Sequence, residues 1–215
     1  MAFRVFDSRT DIQNLIIQPD IRARFLQMEP GEENVPHSHD LGAEIFLILE
    51  GQAEFVIEGH TEVLGPGQLC FADRDEIHLV RCVGDSTMTM YLSVTPHIDP
   101  THTWWDENGA KLPPRYGGST TSERAAMDAE SPPPPITDLA AAHAAAADEA
   151  AQAALAAAET QRAGISALEE ALARGDQAAA EAAVDDMWAA LYGSFSANRD
   201  LAAAWNALAP RVGRR

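Results

Sequence analysis

The stretch that decides the fold is residues 31–51, GEENVPHSHDLGAEIFLILEG. It places two histidines two residues apart, His37 and His39, and it places Glu44 five residues after the second histidine. Side chains at positions i and i+2 of a β-strand point to the same face, so both imidazoles can reach one ion. This stretch therefore predicts a metal site carried by a strand.

The position of Glu44 predicts a break in that strand. Strand side chains alternate between faces, so Glu44 has the wrong parity in a straight strand that continues from His39. A turn or bulge must lie between them, and Asp40 and Gly42 are residue types that permit one. The run that follows, IFLILE at 45–50, is apolar on both faces, as expected of a strand buried between two layers.

The same stretch resembles the first sequence motif of the cupin superfamily, G(X)5HXH(X)4E(X)6G. Every fixed position of the motif is filled, by Gly31, His37, His39, Glu44 and Gly51. A lone HXH would be weak evidence, because strands carry incidental histidines. The resemblance therefore depends on a second motif at the expected distance.

The second cupin motif, G(X)5PXG(X)2H(X)3N, follows in altered form. Gly67 and His78 fall at the required spacing. Asp73 stands at the proline position, Asp75 at the second glycine and Cys82 at the asparagine. Aspartate visits positive φ without large strain, so Asp75 can keep the turn that precedes the histidine. The loop that contains both aspartates would place acidic groups near the metal end of the barrel.

The resemblance implies a metal-binding β-barrel. The four ligands that it implies are His37, His39, Glu44 and His78. Three neutral imidazoles and one carboxylate leave one or two open positions on a divalent transition metal. Residue identity does not choose among Fe, Mn, Ni, Cu and Zn. The alternative is a purely structural histidine cluster.

The remaining strand signals fit a jelly roll of short antiparallel strands. Short strands are expected within residues 3–18. Longer ones are predicted at 21–28, 52–58, 62–64, 68–72, 77–83 and 87–94, with His60 at a solvated hairpin tip. Cys70 and Cys82 lie in or beside these strands and are expected to be buried thiols, with a redox pair as the alternative.

The segment after Thr95 has a different character. Residues 96–118 carry His97, His102, Trp104 and Trp105 and then the pair Asn108 and Gly109, which favours a type I′ hairpin turn. One interpretation is an aromatic flap over the barrel mouth. The other is an arm that packs its tryptophans on the outer sheet or on a partner subunit. The two histidines are not needed as ligands, because the four implied ligands complete the set.

Composition divides the chain into three parts. We expect a cupin β-barrel with a C-terminal arm at 1–118, a Pro-rich linker at 119–136 and an α-helical module at 137–215. Residues 137–209 contain 31 alanines. Helix breaks are predicted at Gly164 and Gly175, and Pro210 is predicted to end the last helix.

The alanine-rich module is predicted to serve assembly. Alanine faces allow close approach but bury little area, so two short helices of this composition cannot form a stable core. Burial must then come from the barrel or from another subunit. We therefore expect a homodimer. A disordered alanine-rich tail is the alternative, and the tryptophans in the final third argue against it.

Net charge narrows the range of partners. The chain of 215 residues carries a formal charge of −18 with histidine neutral. A chain this acidic has no electrostatic footprint for nucleic acid or for an anionic membrane. It contains no apolar run of membrane-spanning length, and its first ten residues do not read as a leader. We therefore expect a cytoplasmic protein that binds a small molecule.

The function that the resemblance implies is metal-dependent chemistry on a small oxygenated organic molecule. A dioxygenase similar to the quercetin-dioxygenase-like cupins is the leading hypothesis, with Glu44 as general base if it leaves the metal. The alternatives are a non-catalytic cupin that binds or senses a small molecule, and a metal-dependent isomerase or lyase. The four ligands are common to all of these.

Overall fold

In a computed structural model, the chain is described at residues 3–116 and 134–213. Eight strands come first: β1 (Asn14–Gln18), β2 (Ile21–Met28), β3 (Ala43–Glu50), β4 (Gln52–Ile57), β5 (His60–Leu64), β6 (Leu69–Ala72), β7 (His78–Val83) and β8 (Met88–Thr95). Two helices follow: α1 (Ile136–Arg174) and α2 (Gln177–Val212). The strands lie in one compact unit, and Pro134–Leu208 is a second compact unit.

The strands form two antiparallel sheets. The larger sheet has the order β1-β2-β8-β3-β6, and the smaller one has the order β5-β4-β7. Strands that neighbour one another in a sheet are often distant in sequence, as β3 and β8 are. This architecture confirms the predicted jelly-roll barrel followed by a helical module.

The barrel core is formed by the inward side chains of both sheets. Buried members include Phe46, Ile48, Phe55, Val80, Cys82, Met88 and Met90. Burial along β3 alternates, so the prediction that residues 45–50 are buried on both faces is wrong. One face of β3 packs against the smaller sheet, and the other face is half-buried.

The two cysteines are free thiols, as predicted. Cys82 is buried in the core, whereas Cys70 on β6 is half-buried. Burial raises the pKa of Cys70 to about 12, so this thiol stays protonated near neutral pH.

Two helix ends predicted within the helical module differ in the structure. α1 runs through Gly164 without a break, so the break predicted there is wrong. The chain turns only at Gly175, which has φ 68° and ends α1. Asp176 then caps α2, because its Oδ1 accepts a hydrogen bond from the backbone N–H of Ala179 at 3.1 Å. Pro210 lies inside α2 near its end and does not terminate the helix.

The two helices bury their small residues along one seam. In α1 the buried residues recur every seven positions, at Ala150, Ala157, Gly164 and Ala171. In α2 they include Ala180, Ala183 and Ala197. A Cβ atom built on Gly164 would lie 2.3 Å from Cγ of Met187, so the helices approach closely at this point. The helices are 39 and 36 residues long, and this length supplies the burial that short alanine helices lack.

The Pro-rich linker predicted at 119–136 falls mostly outside the described residues. Within the described parts of the chain, no helix is long and apolar enough to cross a membrane. The cytoplasmic location stays a prediction.

The tight turn between β3 and β4 depends on Gly51. This residue has φ 71°, and an added Cβ would lie 2.7 Å from the carbonyl oxygen of Thr87 and 2.8 Å from Cα of Met88. Gly59 has a similar φ of 77° but nothing within 4 Å of an added Cβ. Both glycines have a left-handed conformation, but only Gly51 is crowded. Comparing alanine variants at the two positions therefore distinguishes the cost of the conformation from the cost of the clash.

We predict that Gly51→Ala lowers the free energy of unfolding by roughly 2–4 kcal/mol, from left-handed strain plus a backbone clash. The matched variant Gly59→Ala should cost only about 1 kcal/mol, from the conformation alone. Chemical denaturation followed by circular dichroism measures both. Equal losses in the two variants would show that the close approach at Gly51 contributes nothing.

Candidate metal centre

Four side chains from separate segments meet between the two sheets. His37 and His39 precede β3, Glu44 lies on β3, and His78 begins β7. The donor atoms of these four residues all lie within 4.8 Å of one another, and all four residues are buried. The sequence motifs identified this cluster.

The local conformation around the HXH pair differs from the predicted strand. His37 and Ser38 form only isolated bridges, to His78 and Thr103, and the regular strand begins at Ala43. A bend at residues 40–41 separates the two parts. The break that the parity of Glu44 required is therefore present, but the histidines stand before the strand and not in it.

Each histidine is oriented by a backbone carbonyl. The Nδ1 atoms face three carbonyl oxygens: His37 faces Val35 at 2.8 Å, His78 faces Glu76 at 2.9 Å and His39 faces Thr101. A carbonyl oxygen can only accept, so each Nδ1 carries the proton. This assignment leaves the three Nε2 atoms as donors of a lone pair toward the centre.

Glu44 is in direct contact with two of those nitrogens. Its Oε2 lies 2.9 Å from Nε2 of His39 and 3.1 Å from Nε2 of His78. Two neutral imidazole nitrogens and a carboxylate oxygen would all present lone pairs to one another. The arrangement therefore needs a positive charge at its centre, either protons on the imidazoles or a metal ion. Three imidazole nitrogens and a carboxylate are a donor set that fits a divalent transition metal.

The charge states of the cluster are set by burial and by neighbours. Burial opposes ionisation of Glu44, but when Nε2 of His39 and Nε2 of His78 carry protons, their hydrogen bonds outweigh burial and hold the pKa of Glu44 well below its usual range. Burial, reinforced by the neighbouring His78, lowers the pKa of His37 to about 4. Near neutral pH, Glu44 is thus an anion and His37 is a neutral imidazole.

Sequence reasoning missed one charged member of this region, Arg22. It is 3% exposed, and its Nη2 lies 3.7 Å from Oε1 of Glu44. Arg22 on β2 and Glu44 on β3 both pair with Val94 of β8, so the three residues form one row across the sheet. No motif points to Arg22. The available signal was the strand register, which sequence alone does not provide.

The arm that follows β8 covers the cluster. The ring of His102 lies 4.8 Å from the ring of His37 and 5.1 Å from that of His39, measured between centroids. Trp104 stacks on His102 at 5.6 Å with an interplanar angle of 19°. Of the two interpretations of the arm, the structure favours the flap over the site. His102 was dismissed as a ligand and is not one of the four clustered residues, but it borders them.

An ion-pair latch holds the arm in this position. Lys111 Nζ lies 2.8 Å from Oδ1 of Asp40 and 2.8 Å from Oδ1 of Asp75. Thr103 Oγ1 donates to the same Asp40 oxygen at 2.7 Å. Trp105 Nε1 donates to Ser38 Oγ at 3.1 Å.

Asp75 has φ 65°, which confirms that aspartate fills the left-handed position of the altered motif.

The hairpin turn in the arm is not of the predicted type. A backbone hydrogen bond from Gly109 N–H to the carbonyl of Asp106 closes the turn at 3.0 Å. Gly109 has φ 76°, but Asn108 is not among the residues with positive φ. A type I′ turn needs positive φ at both central residues. Asp106 caps the turn instead, by accepting from the N–H groups of Asn108 and Ala110.

Comparison with known proteins assigns the barrel to a family. Residues 24–95 match the family described as Cupin domain. This part of the chain is a cupin domain. No curated protein matches the chain.

Three solved structures illustrate the likeness. A conserved protein with a double-stranded β-helix domain from Klebsiella pneumoniae shares 19% identity over 43% of this chain and 84% of that chain, with a TM-score of 0.41. KdgF from Halomonas sp. shares 23% over 41% and 79%, with a TM-score of 0.38. A Cupin 2 conserved barrel domain protein from Salinispora arenicola shares 22% over 44% and 88%, with a TM-score of 0.38.

We predict that Lys111→Met loosens the arm without unfolding the barrel. The variant removes both ion pairs, which are partly exposed and together worth about 1 kcal/mol. Amide hydrogen exchange at Thr103 and Leu112, whose N–H groups bond within and beneath the arm, should then accelerate roughly fivefold. Arg115→Met, which removes an exposed positive charge further along the arm, is the control. Unchanged exchange in Lys111→Met would show that the latch does not hold the arm.

Proposed function

We propose that His37, His39, Glu44 and His78 bind one divalent transition metal, and that the site acts on a small oxygenated organic molecule. The observation that carries the proposal is the convergence of three Nε2 lone pairs and one carboxylate on a single buried point. The carbonyl anchors fix this geometry before any ion binds, which lowers the cost of binding. A bound metal would supply Lewis-acid or redox chemistry at its open coordination position.

The surrounding residues define what a substrate would meet. His102 and Trp104 present flat rings beside His37 of the cluster. Arg22 contributes a buried positive charge beside Glu44. A planar, oxygen-bearing molecule that is anionic or becomes anionic fits these neighbours, because an aromatic wall and a guanidinium both favour it.

The general-base role proposed for Glu44 has a physical condition. In the metal-free cluster with protons on Nε2 of His39 and Nε2 of His78, their hydrogen bonds hold the pKa of Glu44 low, so the carboxylate is a weak base. Burial acts in the opposite direction and raises the pKa of the same group. Glu44 would therefore gain basicity if it turned away from the two histidines toward a substrate proton.

A second candidate function is binding without turnover. It is favoured by the closure of the site, since the four clustered residues are only 2–6% exposed and the latched arm lies above them. A closed site suits a protein that stores or senses a ligand. Isomerase or lyase chemistry would use the same residues with the metal as a Lewis acid. Oxygen consumption separates the dioxygenase from both alternatives.

We predict that His39→Ala lowers metal affinity by more than roughly 100-fold, because a direct ligand contributes more than the outer contacts that orient it. His60→Ala is the matched control, since this exposed histidine begins β5, away from the cluster. Elemental analysis after purification without chelator or affinity metal measures occupancy, and circular dichroism checks the fold. Full occupancy in folded His39→Ala would overturn the ligand assignment.

We predict oxygen uptake by the metal-loaded protein with at least one substrate class among diketones, flavonols and hydroxy acids. The rate should scale with metal occupancy across preparations, and the Glu44→Gln variant should lose at least roughly 100-fold, since base catalysis contributes on that order. An oxygen electrode measures the rate. Tight binding of such a molecule with no oxygen uptake and no product would favour the binding function.

A further inference from the structure

The outward face of α2 carries an exposed stripe that the barrel chemistry does not use. We define the outer stripe as Glu181, Asp185, Trp188, Tyr192, Phe195 and Arg199, which are spaced 4, 3, 4, 3 and 4 residues apart. Trp188 is 59% exposed, and Tyr192 and Phe195 are each 62% exposed. Three neighbouring aromatic side chains left in solvent mark an interaction surface.

The outer stripe is separate from the seam with α1. Successive helix residues are turned by about 100°, so spacings of 3 and 4 keep all six members on one side of α2. The seam residues Ala183 and Ala197 are buried on another side. The stripe has the spacing of a second coiled-coil seam, and α1 does not cover it.

The outer stripe is acidic at its N-terminal end, aromatic in the middle and basic at its C-terminal end, so it is complementary to an antiparallel copy of itself. If α2 is laid antiparallel on a second α2 about the level of residue 190, the facing pairs are Glu181 with Arg199, Asp185 with Phe195, and Trp188 with Tyr192. The acidic end of each stripe then meets the basic end of the other. The aromatic residues meet in the middle.

We propose that the outer stripe binds a second copy of this chain through an antiparallel α2–α2 contact about a twofold axis. A twofold interface places the same patch on both partners, so a self-complementary charge order is what it requires. In this register Arg199 of one copy lies within one helical turn of both Glu181 and Asp185 of the other. The contact is a location for the predicted homodimer that does not involve the metal centre.

The exposed area is sufficient to form the core of such an interface. An aromatic side chain offers roughly 150–250 Å², so three that are about 60% exposed offer roughly 350 Å² per copy. Two copies would bury roughly 700 Å² in aromatic rings alone. A stable interface buries roughly 1,200–2,000 Å² in total, with aromatics enriched at its centre. The stripe supplies that centre, and the flanking helix surface supplies the rim.

A basic partner protein is the competing occupant. Residues 134–213 hold eleven acidic and four basic side chains, which would attract a basic helix. A basic helix would place positive charge opposite Arg199, whereas a second copy places Glu181 there. The charge order therefore favours a second copy, and the role of Arg199 becomes the point to test.

The test is a charge-swap cycle on the full-length protein, read by sedimentation velocity over a range of concentrations. Glu181→Arg and Arg199→Glu should each raise the dimer dissociation constant at least roughly tenfold, because each places like charges opposite one another. The double variant should restore dimerisation, because the pairs reform with signs exchanged. Trp188→Ala should weaken the dimer at least as much as either single swap.

Leu155→Ala is the matched control, since Leu155 is 68% exposed on α1 and is not part of the stripe. Circular dichroism confirms that each variant keeps its helices. A wild-type protein that is monomeric at every concentration, or a dimer that no stripe variant weakens, would overturn the proposal. Single swaps that disrupt without rescue by the double swap would overturn the antiparallel register.

Discussion

A buried carboxylate needs positive charge around it, and the barrel interior is arranged to meet this need at Glu44. His39 and His78 approach one oxygen of that carboxylate, and Arg22 approaches the other. These partners come from the segment before β3, from β7 and from β2, so satisfying one anion fixes the relative positions of both sheets. Removing one of these partners would leave the buried charge less well compensated, which proteins tolerate poorly.

Much of the fold was predictable because two separate signals agreed. The spacing of the histidine motifs and the alternation of short apolar strands both indicate a jelly roll. The parity of Glu44 predicted a break between His39 and Glu44, and a bend lies there at residues 40–41. Errors arose where tertiary packing overrides local preference. Gly164 breaks isolated helices, but here the lack of a side chain is what lets α1 approach Met187.

The clustered residues of the candidate site were predictable from motifs, but their surroundings were not. The strand register brings Arg22 to the cluster, and the path of the arm brings His102 there. Neither residue belongs to a sequence motif of fixed spacing. The sequence also did not predict which side of α2 faces solvent. Trp188 and Phe195 recur at helical spacing, and the pairing of the alanine seam shows that they point outward.

One of the three carbonyl anchors differs from the others in origin. Val35 and Glu76 each lie two residues from the histidine that they orient, whereas Thr101, which orients His39, belongs to the arm. Closure of the arm and the orientation of His39 in the cluster are therefore thermodynamically linked. Any ligand that needs His39 in this orientation also stabilises the closed arm, and by reciprocity the closed arm strengthens that ligand by the same free energy. The opening of the arm, which controls access to the cluster, and the affinity of the cluster for such a ligand then report on the same conformational equilibrium.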